Sequence, residues 1–154
     1  MYVRPHLEYA VASWSPWNKQ DKDLLEKVQK RAVSMVSNFN AKNYDDKLRE
    51  AGMTTLEKRR ERGDLIMMFR IMTGKDAVYH STWFHKMAER DSTQATRTSS
   101  GTLNVVPPGL CKGDIRRNFF SYRVVAPWNN LPDLVKQADT VNQFKNRLDE
   151  LMFH

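Results

Sequence analysis

The stretch Asp23-Leu24-Leu25-Glu26-Lys27-Val28-Gln29-Lys30-Arg31-Ala32 sets the pattern for the whole chain. Its apolar residues recur at the spacing of one helix face, and Glu26 precedes Lys30 by four positions, an arrangement that supports a helix. Asn18 is a suitable N-cap, so we predict a helix from there to about Ser37. The predicted buried face consists of Leu24, Leu25, Val28, Ala32, Met35 and Val36. This pattern favours a mostly α fold.

The N-terminal flank carries a shorter helical pattern. Residues 6–14 follow Pro5, which is well tolerated at a helix start, and Pro16 limits the pattern on the other side. We therefore predict one short helix there. Its apolar stripe consists of Leu7, Ala10, Val11 and Trp14.

Two further helices are marked by their end signals. Residues 44–51 are followed by Gly52, a suitable left-handed C-cap, which predicts a short helix that stops there. Thr54 and Glu57 then have the spacing of a capping box. They predict a long helix that ends at Gly74.

The last third of the chain is less uniform. Residues 92–102 are nearly all Ser, Thr, Gln, Ala and Gly, which predicts a loop or linker. One short β segment is expected near residues 103–106. Asp114 can then start a helix that Pro127 limits. The predicted buried stripe of that helix is Ile115, Phe119, Tyr122 and Ala126.

A final helix and the domain division complete the expected architecture. Thr140 and Gln143 form a second capping box before a strongly amphipathic stretch. We predict a mostly α protein whose helical domain covers residues 1–90, followed by a flexible Ser/Thr-rich linker at 91–113. A C-terminal helical extension at 114–154 is expected to pack on the first part.

Composition limits the classes of function. The 154-residue chain has 25 Lys and Arg against 18 Asp and Glu, a net charge of +7, which favours a polyanionic or otherwise acidic partner. The lone Cys111 excludes an intrachain disulfide and a Cys-based zinc site. No apolar run approaches the roughly 18 residues of a membrane span, and no signal peptide is recognisable. We expect an intracellular protein, nuclear or cytoplasmic, with no membrane association and no cofactor or metal.

Tyr44-Asp45-Asp46 is the sequence's nearest approach to a polymerase metal site. Such a motif needs an intervening residue and a hairpin with apolar flanks, whereas here the two aspartates open a predicted helix. Acidic residues at that place complement the helix dipole. We interpret them as helix-stabilising rather than catalytic.

The basic run at the start of the long helix is the first candidate site. Lys58 lies in the first turn, where positive charge opposes the helix dipole, and such a local conflict is typical of a binding surface. Cations spread around the helix could contact phosphates; the alternative is a solvated face with acidic neighbours. Gly63 within the helix indicates that something approaches the backbone there. The candidate phosphate-binding residues are Lys58, Arg59, Arg60 and Arg62.

A second candidate lies on the predicted helix after Asp114. Arg116 and Arg123 are seven residues apart and share a face, with Arg117 beside it. Aromatic residues alternate with these arginines, the mixture that single-strand binders use for stacking and charge. We assign the arginines to nucleic-acid binding and leave open whether the rings stack on bases or fill the core. The rings are Phe119, Phe120, Tyr122 and Trp128.

A series of short segments spans nearly the whole chain except residues 75–112. They are Val3-Arg4-Pro5-His6-Leu7-Glu8-Tyr9, Leu24-Leu25-Glu26-Lys27-Val28-Gln29-Lys30-Arg31-Ala32, Leu56-Glu57-Lys58-Arg59-Arg60 with Gly63-Asp64-Leu65, Arg117-Asn118-Phe119-Phe120, Arg123-Val124-Val125, Trp128-Asn129-x-Leu131-Pro132 and Val141-Asn142-x-Phe144-Lys145-x-x-Leu148-Asp149. In this order they resemble the region after the polymerase core of LINE-type, jockey-like non-LTR retrotransposon reverse transcriptases.

The resemblance implies a thumb-like helical bundle and a C-terminal extension that hold template and primer during target-primed reverse transcription. It implies RNA, an RNA–DNA hybrid or DNA as partner, and the fingers and palm of the polymerase as a further one. Arg4 and His6 would lie on the first thumb helix. The residues on matching basic positions are Lys58, Arg59, Arg60, Arg117 and Arg123.

Catalysis is not expected of this chain. The carboxylates of the palm, which hold the metal ions of nucleotidyl transfer in that family, are not found before Met1. Two alternatives to nucleic-acid binding stay open. One is a helical module for protein interaction or self-association through Leu7, Val11 and Trp14, and the other is a retroelement remnant with no selected role.

Overall fold

A computed structural model describes residues 3–36, 43–87, 103–111 and 113–153, and the fold is mostly α, as predicted. A single antiparallel strand pair interrupts the helices of the described residues. In chain order the elements are α1 Val3–Glu8, α2 Val11–Trp14, α3 Lys19–Ser34, α4 Tyr44–Glu50, α5 Leu56–Met72, α6 His80–Trp83, β1 His85–Lys86, β2 Val105–Val106, α7 Asp114–Arg117, α8 Phe120–Arg123, α9 Val125–Asn130, α10 Asp133–Lys136 and α11 Val141–Phe153.

The chain divides into two compact units, residues 1–63 and residues 64–154. This division differs from the boundary expected at residue 90. The reason is local pairing within the second unit, where His85 lies opposite Val106 in the β1–β2 ladder. The Ser/Thr-rich stretch 92–102 lies outside the described residues.

A polar network organises the first unit. The Glu26 carboxylate accepts a hydrogen bond from the Leu56 backbone N–H at 3.0 Å, and one from the Tyr44 hydroxyl at 2.5 Å. Gln29 donates to the Thr54 carbonyl oxygen at 3.0 Å. Because the first N–H groups of a helix lack intrahelical partners, Glu26 caps α5 while joining it to α3 and α4.

This network changes which face of α3 is buried. Gln29 and Val33 are its buried residues, at 3% and 5% exposure, and Glu26 faces inward instead of pairing with Lys30. Leu25 and Ala32 are half-buried. The rest of the predicted apolar face is exposed, which corrects that prediction: Leu24, Val28, Met35 and Val36.

The glycine stops are confirmed. Gly52 and Gly74 have φ values of 61° and 65°, the left-handed conformation expected after a helix. The Met53 N–H reaches back to the Leu48 carbonyl oxygen at 2.8 Å, which satisfies a terminal carbonyl of α4. A hydrogen bond of the same kind follows α5, where the backbone N–H of Lys75, the residue after Gly74, donates to the Arg70 carbonyl oxygen.

The starts of the helices were predicted less well. The Thr55 hydroxyl, rather than that of Thr54, accepts the Lys58 N–H at 3.4 Å and caps α5. The helix predicted over residues 6–14 is broken into α1 and α2, because Ala10 adopts a left-handed conformation with φ 50°. A left-handed residue cannot continue a right-handed helix.

An aromatic core holds the second unit together. Phe69 of α5 stacks on Phe144 of α11 with 4.4 Å between the ring centres. The ring centre of Trp128 lies 6.1 Å from that of Phe144. The Thr140 hydroxyl accepts the Gln143 N–H at 3.1 Å, which confirms the predicted N-cap of α11.

The helix predicted after Asp114 is instead three short helices, α7 to α9. Their buried apolar residues include Phe120, Val124 and Trp128, at 1–3% exposure, whereas the predicted core residue Ile115 is 80% exposed. Pro127 lies in the first turn of α9 and does not end it, since a residue there needs no N–H donor.

The predicted β segment is present as β2, and a side chain completes its hydrogen bonds. The Val105 N–H donates to Asn129 Oδ1 at 3.0 Å, and Asn129 Nδ2 donates to the Val105 carbonyl oxygen at 2.9 Å. Trp128 Nε1 donates to the Leu103 carbonyl oxygen at 3.0 Å. Within the described ranges no helix has the length and apolar character needed to cross a membrane.

Candidate nucleic-acid interface

Arg59, one of the predicted phosphate-binding residues in the first half of α5, is paired inside the first unit. Arg59 Nη2 donates to Glu8 Oε2 at 2.7 Å, and Arg59 Nε contacts the other oxygen of the same carboxylate. Both side chains are more than two-thirds buried, at 18% and 27% exposure. This charge-assisted hydrogen bond fixes the guanidinium group on α1 and directs it away from an external phosphate.

Arg60 is buried more deeply still, at 5% exposure. Its guanidinium carbon lies 5.9 Å from the centre of the Trp14 ring, a cation–π distance. Nε and Nη2 have no hydrogen-bond partner among the described residues. Burial lowers the pKa of Arg60 below its usual value, and the charges of Glu26, Glu57 and Glu8 oppose that shift.

The remaining cations of the basic run are more accessible. Lys58 is exposed on the first turn of α5, and Arg62 is half-buried. The expected close approach at Gly63 is wrong for the described residues, since a methyl group added there would meet nothing within 4 Å. Lys58 is therefore the residue of this run that the fold leaves best placed for a phosphate.

Arg123 has an internal role in the second unit. Its Nε and Nη2 donate to the two oxygens of Asp64 at 2.8 and 3.0 Å, and Nη1 donates to the Asn118 carbonyl oxygen at 3.1 Å. Its guanidinium carbon also lies 5.8 Å from the Phe120 ring centre. Asp64 is itself 7% exposed. These contacts use Arg123 to tie α8 to α5.

Arg116 and Arg117 are exposed on α7. Arg117 Nη1 lies 3.6 Å from Asp114 one turn earlier, and both partners are more than two-thirds exposed, so this pair is weak. The guanidinium carbon of Arg116 lies 5.7 Å from the centre of the Tyr122 ring. Here positive charge lies at the surface beside an aromatic face.

The aromatic residues of this region separate into core and surface rings. Phe120 and Trp128 are buried. Phe119 is 46% exposed, and it stacks on Trp83 at 6.1 Å with an angle of 12° between the rings. Sequence reasoning missed Trp83, because the segment of residues 76–87 has no clear periodicity that would assign it to this surface.

The N-terminal candidates lie on one short helix. Arg4 is in α1, and its side chain is not among those described. His6 is exposed in the last turn of the same helix. Among the described side chains of α1, it is Glu8, two residues after His6, that pairs with the basic run of α5.

The aspartates that resemble a polymerase motif have a structural setting. Asp45 and Asp46 lie in the first turn of α4 and are exposed. Burial, together with a hydrogen bond to Glu26, raises the pKa of Tyr44 above its usual value, so this hydroxyl stays a donor. Across the described residues no three His, Cys, Asp or Glu side chains are grouped so that they could hold a metal ion.

The chain matches no protein-family model, no curated protein and no solved structure. The retrotransposon resemblance therefore stays a prediction.

Proposed function

We propose that this protein is a non-catalytic nucleic-acid-binding module, equivalent to the thumb and post-thumb region of a LINE-type reverse transcriptase. Its ligand is the sugar–phosphate backbone of RNA, an RNA–DNA hybrid or DNA. The observation that carries the proposal is the surface of α7 and its neighbours, where Arg116 and Arg117 lie exposed beside the half-exposed ring of Phe119.

Charge supports this proposal. The chain has a net charge of +7, and Lys58 adds an exposed cation in the first unit. Binding by such groups releases counterions from the polymer, so it is dominated by electrostatics and depends steeply on salt. Arg59, Arg60 and Arg123 are engaged or buried within their units, and we assign them to stability rather than to phosphate contact.

The test is a filter-binding titration with single-stranded RNA and with an RNA–DNA hybrid. With four to five phosphates contacted, raising salt from about 50 mM to about 200 mM weakens binding by about tens of fold or more. A triple variant, Lys58→Ala/Arg116→Ala/Arg117→Ala, has a shallower dependence on salt. No binding at low salt, or binding that ignores salt, contradicts the proposal.

A second candidate function is protein interaction or self-association, favoured by one face of α3. Leu24, Val28 and Met35 are 57%, 45% and 73% exposed, and their spacing places them along the same side of the helix. An apolar line of this kind is more typical of a contact surface than of a solvated helix face.

Sedimentation distinguishes the two functions. If α3 is a self-association surface, the protein forms a dimer that persists in high salt, and Val28→Glu converts it to monomer. A monomer at all salt concentrations, together with salt-dependent RNA binding, favours the nucleic-acid function. A salt-stable dimer that does not bind nucleic acid favours the second one.

A further inference from the structure

A cavity of about 490 Å³ opens on the surface of the second unit. It lies between the segment around Pro108 and the helices α7 and α8. Its volume falls within the range of small-molecule sites, which begins at roughly 300 Å³. The lining residues are Pro108, Gly113, Ile115, Arg116, Phe119, Ser121 and Tyr122.

The walls of this cavity combine aromatic faces with a positive charge. Phe119 and Tyr122 contribute rings, and the Arg116 guanidinium lies against the Tyr122 ring at 5.7 Å. Phe119 also stacks on Trp83, which does not line the cavity. Ile115 is 80% exposed and adds apolar surface to the same site.

One polar group of a residue that lines the cavity lacks a partner. The Tyr122 hydroxyl oxygen is buried, and it has no hydrogen bond within the described part of the chain. A buried hydroxyl without a partner costs free energy, because its hydrogen bonds to water have been lost and not replaced. If the Tyr122 side chain turns to expose this hydroxyl as a ligand enters, a ring nitrogen or a carbonyl oxygen at the edge of the ligand accepts that hydrogen bond.

We propose that this cavity receives one unstacked base of a single-stranded nucleic acid. A base is flat and aromatic on its faces and carries hydrogen-bonding atoms at its edge, which matches both the rings and the Tyr122 hydroxyl. Arg116 stacks on the base or contacts the adjoining phosphate, and exposed Arg117 adds charge for the backbone. The inference rests on the proposed function, which concerns the backbone, and adds recognition of the base.

The test compares two ten-nucleotide single strands, one with bases and one in which every nucleotide is abasic. Stacking on aromatic and Arg side chains makes wild-type protein bind the base-bearing strand about fivefold tighter or more. Arg116→Ala brings that ratio close to one, and Tyr122→Phe reduces it by a smaller amount because only the hydroxyl is removed.

Arg117→Ala is the matched control. It removes the same charge from the neighbouring position of α7, but Arg117 does not line the cavity. It therefore weakens binding to both strands equally and leaves the ratio unchanged. Circular dichroism verifies that the variants keep the helical content of the wild type.

The two ways in which these proposals can fail are distinguishable. Salt-dependent binding of both strands with a wild-type ratio of one overturns the base site and leaves the backbone function standing. The base site is overturned in the same way if Arg116→Ala and Arg117→Ala change the ratio equally. Binding of neither strand at low salt overturns both proposals.

Discussion

The first half of α5 and the short helix α7 carry similar densities of positive charge, yet the fold uses them differently. In α5, Arg59 is paired with Glu8 and Arg60 is buried against Trp14. In α7, Arg116 and Arg117 lie exposed, with Asp114 as a weakly held neighbour of Arg117. This difference shows that a basic run predicts a binding surface only when its side chains are not already paired or buried by residues elsewhere in the fold.

The largest expected effect concerns Arg123 and the carboxylate that holds it inside the second unit. Asp64→Asn removes a carboxylate that holds Arg123 through two hydrogen bonds while itself only 7% exposed. Leaving a nearly buried guanidinium without its partner lowers the free energy of unfolding by about 3 kcal/mol. Urea unfolding followed by Trp fluorescence measures the loss.

The matched control is Asp114→Asn on α7, where the pair with Arg117 is exposed on both sides. Its effect on the free energy of unfolding stays within about 0.5 kcal/mol. Equal effects of the two substitutions would remove the distinction between internal and surface arginines.

A smaller effect is expected at the contact between α1 and α5. Glu8→Gln weakens the pair with Arg59 and lowers the free energy of unfolding by about 1 kcal/mol, since the Glu8 side chain is 27% exposed whereas that of Asp64 is 10% exposed. It also makes Arg59 more available to an external phosphate, so affinity for RNA at low salt increases. Unchanged affinity with a steady salt dependence would show that Arg59 stays turned inward without Glu8.

The smallest expected effect is a change in the free energy of unfolding at Gly63, within α5. Gly63→Ala raises the free energy of unfolding by about 0.5–1 kcal/mol, because Ala favours a helix interior over Gly and the added methyl group meets no described atom within 4 Å apart from its chain neighbours and the backbone of its own helix. Thermal unfolding measures the gain. A loss of stability would support the close approach that the sequence indicated instead.

Local signals in the sequence predicted much of the fold. The ends of α4 and α5 followed from Gly52 and Gly74, because a left-handed glycine determines the adjoining hydrogen bonds almost by itself. The N-cap Thr140 was predicted for the same kind of reason. Such features depend on residues within one turn of each other.

Features set by distant partners could not be predicted in this way. Glu26 and Gln29 turn α3 inward through Leu56 and Thr54, some 25 to 30 residues later in the chain. Helical periodicity alone predicted instead that the face carrying Leu24 and Val28 is buried. The same limit applies to the candidate site, because nothing in the local sequence pairs Glu8 with Arg59 across 51 residues.

The most direct test of the account compares one exposed and one buried cation of the same helix turn. The affinity for single-stranded RNA is measured against salt concentration for wild type, Lys58→Ala and Arg60→Met. The account predicts that Lys58→Ala lowers the slope of log affinity against log salt by about 0.7, as expected for one lost phosphate contact, and that Arg60→Met leaves it unchanged. A loss from Arg60→Met as large as that from Lys58→Ala, with both variants folded, would contradict it.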